Sequence, residues 1–235
     1  MSLSPTRRST PTRLRERART DRADLYAVLD EGLVCHVGVV RDGAPVVLPT
    51  GYGRIDDTVY VHGSTGAGWL RIADGAPVCL TVTHLDSLVL ARCGFNHSAD
   101  YRSVMVFGRA RLLEDQAEKE RALVMMVDRL YPGRTAHLRQ SSGQEIKATA
   151  VIYMDIEKAS AKVRAKGVVD EDEDYQLPIY AERLPIFTVI GTPEPCPQLK
   201  EGVSRPDNLT PYREGRRLEE AATEAYAVAY PAGRI

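Results

Sequence analysis

Apolar residues in the segment DRADLYAVLDEG fall at Leu25, Val28 and Leu29. That spacing predicts a helix, with Asp21 or Asp24 as its cap and Gly32 as its end. The period then shortens to two. LVCHVGVVRDGAPVVLPTGYGRIDDTVYVHG predicts three strands joined by turns at Asp42-Gly43 and Asp56-Asp57, and Asp-Gly between β-rich runs is a strong hairpin signal. STGAGWLRIADG reads as a short helix entered through glycines and closed by Gly75. APVCLTVTHLDSLVLARCGF predicts a pair of strands with little spacer. YRSVMVFGRARLLED predicts a long strand with Val104, Val106 and Gly108 on one face and Ser103, Met105 and Phe107 on the other. In DQAEKERALVMMVDRLYPG, Ala122, Leu123, Met126, Val127 and Leu130 form the core face of an amphipathic helix that stops at Pro132-Gly133. KATAVIYMDIEKASAKVR predicts one more strand, with Val151, Tyr153 and Asp155 opposite Ala150, Ile152, Met154 and Ile156.

Beyond residue 166 the pattern changes. VVDEDEDY reads as a solvated acidic run and GTPEPCPQLKEGVSRPDNLTPY as irregular chain. REGRRLEEAATEAYAVAY predicts a terminal helix with Leu218, Ala221, Ala222, Ala225 and Tyr226 on its apolar side. The expected organisation is a flexible basic arm over 1–22, one domain over 23–190, and a proline-rich tail with a terminal helix over 191–235. Six or more short antiparallel strands with helices give an α+β, mainly β fold, a closed or split β-barrel. The βαβ alternation of a doubly wound dinucleotide fold is absent.

Composition narrows the function classes. Of 235 residues, 43% are hydrophobic and 27% charged, with a net charge of −1. This is a globular balance, and nothing in it points to nucleic acid or an anionic membrane surface. The arm carries seven arginines among Ser, Thr and Pro, and its Arg7-Arg8 pair lacks the apolar segment of a twin-arginine signal. No apolar run is long enough to span a bilayer, so a reducing cytoplasm is expected. Cys35, Cys79, Cys93 and Cys196 form no C-x-x-C pair, and Cys35 and Cys79 read as reduced core thiols.

No nucleophile–base motif is present, and no catalytic residue is assigned. His36, His62, His84, His97 and His137 lack zinc-ligand spacing, and the turn-like GFN between Cys93 and His97 argues against a metal site. The stretch VYVHGSTGAGWLR nearly matches a phosphate-binding loop, with Trp69 and Leu70 in place of its lysine and hydroxyl. A strand running into a helix start still offers backbone N–H groups to a phosphate. Ser64 and Thr65 add hydroxyls, Arg71 lies two turns on, and Arg102 reaches from a neighbouring strand. Taken alone, HGST reads equally as a plain helix cap with Ser64 satisfying its own helix.

The phrases LDEGLVCHVGVVRDGAPVVLPTGYGR, YVHGS, VTHLDSLVLAR, HSADYRSVMVFGRA, KATAV and SAKVR occur in an order that resembles the pyridoxamine 5'-phosphate oxidase-like split barrels. The resemblance covers about residues 24–190. It is nearest to the flavin-nucleotide-binding branch with its nitroimidazole-reductase relatives. It implies a homodimer with FMN in the groove between subunits, contacted by Pro49, Thr50, Gly51, Tyr52, His62, Gly63 and Ser64, and by Tyr101, Arg102, Ser103 and Val104 across the barrel. FAD is an alternative flavin. Where the branch shows Ser-Arg this chain has Ala67-Gly68, Asp100 replaces an Asn, and Tyr180 replaces a Trp. The implied activity is flavin-dependent redox chemistry with a small-molecule electron donor or acceptor, such as a nicotinamide. A true pyridoxamine phosphate oxidase is not implied, because Arg183 is the lone nearby cation for that substrate. The competing reading is a non-catalytic module that holds haem, a deazaflavin or another small ligand, with His62, His84 or His97 as haem ligand.

Overall fold

Asp42 and Gly43 both take positive φ, 50° and 79°, the primed turn that matches the twist of paired strands. They join β2 (Val34–Arg41) to β3 (Ala44–Ile55) in a ladder running from Arg41↔Ala44 to Val34↔Gly51. The computed structural model describes residue 6, residues 9–10 and residues 13–231. The Arg7-Arg8 pair and most of the first twelve residues of the arm expected over 1–22 lie outside the described residues.

Within that range the chain forms ten antiparallel strands and five α-helices, an α+β split-barrel fold. β1 (Ala18–Arg19) pairs with β9 (Lys158–Arg164), so residues 18–19 of the expected arm form an edge strand. α1 (Arg22–Glu31) begins at Asp21, ends at Gly32 and buries Leu25, Val28 and Leu29 as its spacing predicts. β4 (Thr58–Ser64) leads into α2 (Gly68–Ala73), then β5 (Pro77–Leu90) and β6 (Ser98–Arg109). The short β7 (Arg111–Leu112) borders β8 (Thr149–Asp155), and β10 (Glu182–Pro185) lies along β5. The main sheet runs β1-β9-β6-β5-β2-β3-β4-β8-β7.

Two strand expectations change. The segment expected as a pair of strands is the single strand β5, with a register shift between Leu85 and Ser87. That bulge inserts one extra residue, Asp86, and mimics a strand break in the sequence. The segment expected as one strand is the pair β8 and β9.

The core gathers Leu25, Val37, Leu80, Val104, Val106 and Ile152 with other apolar side chains. All four cysteines are free; Cys35 is buried and Cys79 half-buried.

By contact the chain divides into two units, Met1–Glu114 with Ala148–Ile186, and Asp115–Lys147 with Phe187–Ile235. This grouping differs from the expected 23–190 and 191–235. The second unit contains α3 (Gln116–Leu130) and α5 (Leu218–Ala229), while α4 (Gly143–Ala148) runs up to the boundary. α3 buries Ala122 and Met126, whereas Leu130 of its expected core face is exposed. Tyr212, Ala221 and Ala225 form a core of their own in that unit, and Asn208 Nδ2 donates to the Pro132 carbonyl at 2.6 Å. No helix among the described residues is long and apolar enough to cross a membrane.

Candidate functional site

β3 changes partners where the site is expected. Residues up to Gly51 pair with β2, and residues from Tyr52 pair with β4. Pro49, Thr50, Gly51 and Tyr52 therefore straddle the split in the sheet. Alternation along the strand sends Pro49 and Gly51 to the outward face, while Thr50 is half-buried and Tyr52 is buried. The registers Pro49↔His36, His36↔Thr81 and Thr81↔Met105 carry that face across four strands. Tyr101 and Ser103 alternate with Met105 on the same outward face of β6, whereas Val104 is wholly inside the core. The structure thus joins Pro49, Gly51, Tyr101 and Ser103 on one sheet face. The same face exposes apolar side chains, with Val34 51% and Val47 62% accessible.

Tyr52 and Arg102 face the other way and meet the end of α1. The Tyr52 hydroxyl donates to the Leu29 carbonyl, and His84 Nε2 lies 3.0 Å from the Val28 carbonyl. These carbonyls belong to the last turns of a helix, where intrahelical donors run out. Arg102 is held by two carboxylates. Its Nη1 and Nη2 donate to Glu31, the latter at 2.8 Å, and its Nε and Nη2 donate to Asp86 at 3.0 and 2.8 Å. The hydrogen bonds to Glu31, then those to Asp86, raise the guanidinium's pKa. The donors of Arg102 are thus engaged by Glu31 and Asp86, which compete with any phosphate for the same guanidinium. The sequence signal overlooked was the pair of acids, one at a helix end and one at a bulge.

The loop after β4 is the reverse case. His62, Ser64 and Thr65 are exposed at the strand end, where β4 pairs with β8. At Gly63 an added Cβ would lie 2.9 Å from Leu70 Cδ1. Glycine therefore lets Leu70, fully buried, enter the core, while Trp69 packs half-buried at its edge. Part of the loop is already satisfied. Gly66 N–H donates to Ser64 Oγ at 3.1 Å, Ala67 N–H to the Ser64 carbonyl at 2.8 Å, and Thr65 N–H to the Ala148 carbonyl at 3.0 Å. Among the described residues, the amides of Gly68 and Trp69 have no protein acceptor, and the exposed Arg71 makes no ion pair. Those two amides, the Thr65 hydroxyl and Arg71 suit an anion.

Two further acids are buried. The Asp100 side chain is 1% exposed and accepts from Arg183 at 2.7 Å, Ser87 Oγ at 2.9 Å, Arg164, and the N–H groups of Lys166 and Gly167. Burial pushes its carboxyl up, but the hydrogen bonds from Arg183, Ser87, Gly167 and Arg164 outweigh it and hold the pKa at about 2. Arg183 is thereby committed to Asp100. The Asp170 side chain is wholly buried, an exception within an acidic run whose Glu171, Asp172 and Glu173 are exposed as expected. It accepts from Arg92 N–H at 3.1 Å, Arg92 Nη1 at 2.9 Å and Asn96 Nδ2 at 3.5 Å. Ligand atoms of Cys93, Asp170 and Asp174 lie within 4.8 Å of one another, yet the Asp170 carboxylate is already bound by Arg92 and Asn96.

The family model described as pyridoxamine 5'-phosphate oxidase matches residues 21–163. The chain is similar to the flavocytochrome Anf3 from Azotobacter vinelandii, with 38% identity and a TM-score of 0.85, over 91% of this chain and 100% of that one. It is similar to the FAD and heme binding protein from Mycobacterium smegmatis, with 36% identity and a TM-score of 0.81, over 86% of this chain and 99% of that one. A protein from Bacteroides thetaiotaomicron assigned to 5-nitroimidazole antibiotic resistance shares the fold at 23% identity and a TM-score of 0.53, over 62% of this chain and 86% of that one. No curated protein matches this chain significantly.

Proposed function

The chain belongs to the pyridoxamine 5'-phosphate oxidase family, and from that premise we propose that it is a flavin-binding redox protein that also carries haem. The observation carrying this reading is a coincidence of two features. One sheet face joins Pro49, Gly51, Tyr101 and Ser103 amid exposed apolar side chains, and the loop beside β4 keeps unpaired donors at Thr65, Gly68, Trp69 and Arg71. A flat apolar ring suits the face, and an anionic tail suits the loop. The relatives matched over most of their length, a flavocytochrome and a FAD and heme binding protein, support the same pair of cofactors.

The cofactors supply electron acceptance and transfer when bound, and the protein supplies placement, polarity and exclusion of water. Thr65 and Arg71 hold the phosphate end of the flavin, with FAD favoured over FMN by the second relative. Val34, Val47 and Met105 are exposed on the same face, so a second copy of the chain is proposed to cover it. Pyridoxamine phosphate oxidation is not proposed, because Arg183 is spent on Asp100. The test is a visible spectrum of the purified protein with mass analysis of what co-purifies. Flavin bands with released FAD, and a Soret band, support the reading. A colourless protein that ignores added FMN, FAD and hemin overturns it.

A further inference from the structure

The charge of this chain is unevenly placed. Over the whole sequence acids exceed Lys and Arg by one, yet RLRERAR, residues 13–19, holds four arginines and one acid. The structure lays that segment along the edge of the sheet. Ala18 and Arg19 pair with Lys162 and Ala161 of β9, and Arg19 Nη1 donates to the Glu16 and Ala18 carbonyls, both at 2.9 Å. β9 adds two more cations. Lys162 lies opposite Ser103 and Lys158 opposite Phe107, so both stand on the outward face that carries Ser103.

Little in the protein neutralises this strip. Arg13, Arg15 and Lys158 are exposed, and among the described residues neither they nor Lys162 make an ion pair. Glu16, the acid within the segment, lies 3.9 Å from Arg17 Nε, and that Nε has no hydrogen-bond partner. Arg22, just beyond the strip, is by contrast paired with Asp57. Leu14 takes φ 54° and is 42% exposed, an apolar point between two arginines. Unpaired cations gathered on one edge draw in an anionic body.

The form and place of the strip favour a protein. A membrane-surface segment carries its cations on one side of an amphipathic helix, but here they lie on a 3-10 turn over Arg15–Arg17 and on a strand edge. Single-stranded nucleic acid is held by aromatic platforms among the cations, and residues 13–19 contain no aromatic. Encounters with electron carriers are small and governed by opposed charge. Two strand spacings, about 10 Å, separate β1 from β6, the strand of Tyr101 and Ser103.

We propose that the strip of Arg13, Arg15, Arg17, Lys158 and Lys162 docks an acidic one-electron carrier protein that reduces the flavin. One electron passes from the carrier's reduced centre to the flavin at each encounter, and two encounters with two protons taken from water complete the reduction. The docking needs only the strip, while the electron transfer rests on the flavin reading above.

The experiment measures docking and transfer separately on full-length protein. The acidic probe is a plant-type [2Fe–2S] ferredoxin, and basic cytochrome c is the control of opposite charge. Anisotropy of labelled, oxidised ferredoxin reads docking, and stopped-flow bleaching of the flavin band by reduced ferredoxin reads transfer. Wild type binds ferredoxin saturably at low salt, loses affinity as salt rises, and ignores cytochrome c. Arg13→Glu combined with Arg15→Glu lowers affinity and transfer rate about tenfold at low salt, and the difference closes at high salt. Reduction by dithionite, which needs no docking, keeps its wild-type rate. Arg13→Gln with Arg15→Gln serves as the second pair should charge reversal disturb the fold. Wild type that binds no ferredoxin at low salt, or unchanged affinity in both pairs of variants, overturns the docking and leaves the flavin reading standing. Tighter binding to anionic vesicles or to single-stranded DNA than to ferredoxin overturns it as well. A protein that takes up no flavin overturns the flavin reading and the transfer with it, and the anisotropy still decides the docking.

Discussion

Arg102 and Arg71 carry the same guanidinium and were both candidates for a phosphate, yet they end in opposite surroundings. Arg102 lies between Glu31 and Asp86 at the end of α1, with its donors committed to carboxylates. Arg71 stands exposed on the short helix whose first amides, at Gly68 and Trp69, have no protein acceptor among the described residues. The first region is an ion network that ties α1 to β5 and β6. The second has donors to spare. Capacity for a ligand is set by what the protein has not already satisfied, because a committed cation must first give up its own partners.

The sharpest way to probe this contrast begins with the closed extreme. Asp100 is an almost fully enclosed charge, and Asp100→Ala strands Arg164 in the interior. The expected loss is about 3–5 kcal/mol in chemical denaturation. The pH dependence has a definite sign. The folded carboxyl titrates at about 2 against an ordinary 3.8, so its contribution is complete above the ordinary value and disappears as pH falls toward 2. Wild type and Asp100→Asn should therefore differ most near neutrality and converge between about pH 4 and pH 2. Parallel curves through that window would show that Asp100 is not held ionised by its partners.

Next comes Arg102→Met, which leaves Glu31 and Asp86 facing each other. A stability loss of about 2–3 kcal/mol is expected, somewhat below the buried case because the side chain is partly solvated. Flavin affinity should stay at the wild-type level in the variant that remains folded. A selective collapse of flavin binding would mean that Arg102 exchanges its carboxylates for the ligand. The smallest expected effect is that of Arg71→Met. Its stability should stay within about 0.5 kcal/mol of wild type, while flavin affinity drops about tenfold through loss of one charge-assisted contact. Equal affinity in a fluorescence titration would remove Arg71 from the site.

What the sequence made legible was local. The α1 spacing, the Asp42-Gly43 turn and the glycine-entered helix after Ser64 each depend on neighbours a few residues apart. The bulge at Asp86 misled because a single extra residue in THLDSLV looks like the end of one strand and the start of another. The β8–β9 turn misled in the opposite sense. DIEKAS contains no Gly, Pro or Asn, so the run looked continuous. The fates of charges were the least visible. Arg102 meets Glu31 across 71 residues, and Arg92 meets Asp170 across 78. No periodicity reports such pairs, so neither the burial of Asp170 nor the partners of Arg102 could be read. The loop's composition showed donors, but only the fold could show which remained unspent.

The central claim is that the outward face of the sheet and the loop from Thr65 to Arg71 together hold a flavin. The most direct measurement is a flavin titration of cofactor-stripped protein, comparing wild type with Arg71→Met at low and high salt. Saturable binding that weakens in the variant, and loses its salt dependence there, is the predicted result. Wild-type protein that leaves the fluorescence of FMN and FAD unchanged at every concentration would contradict the claim.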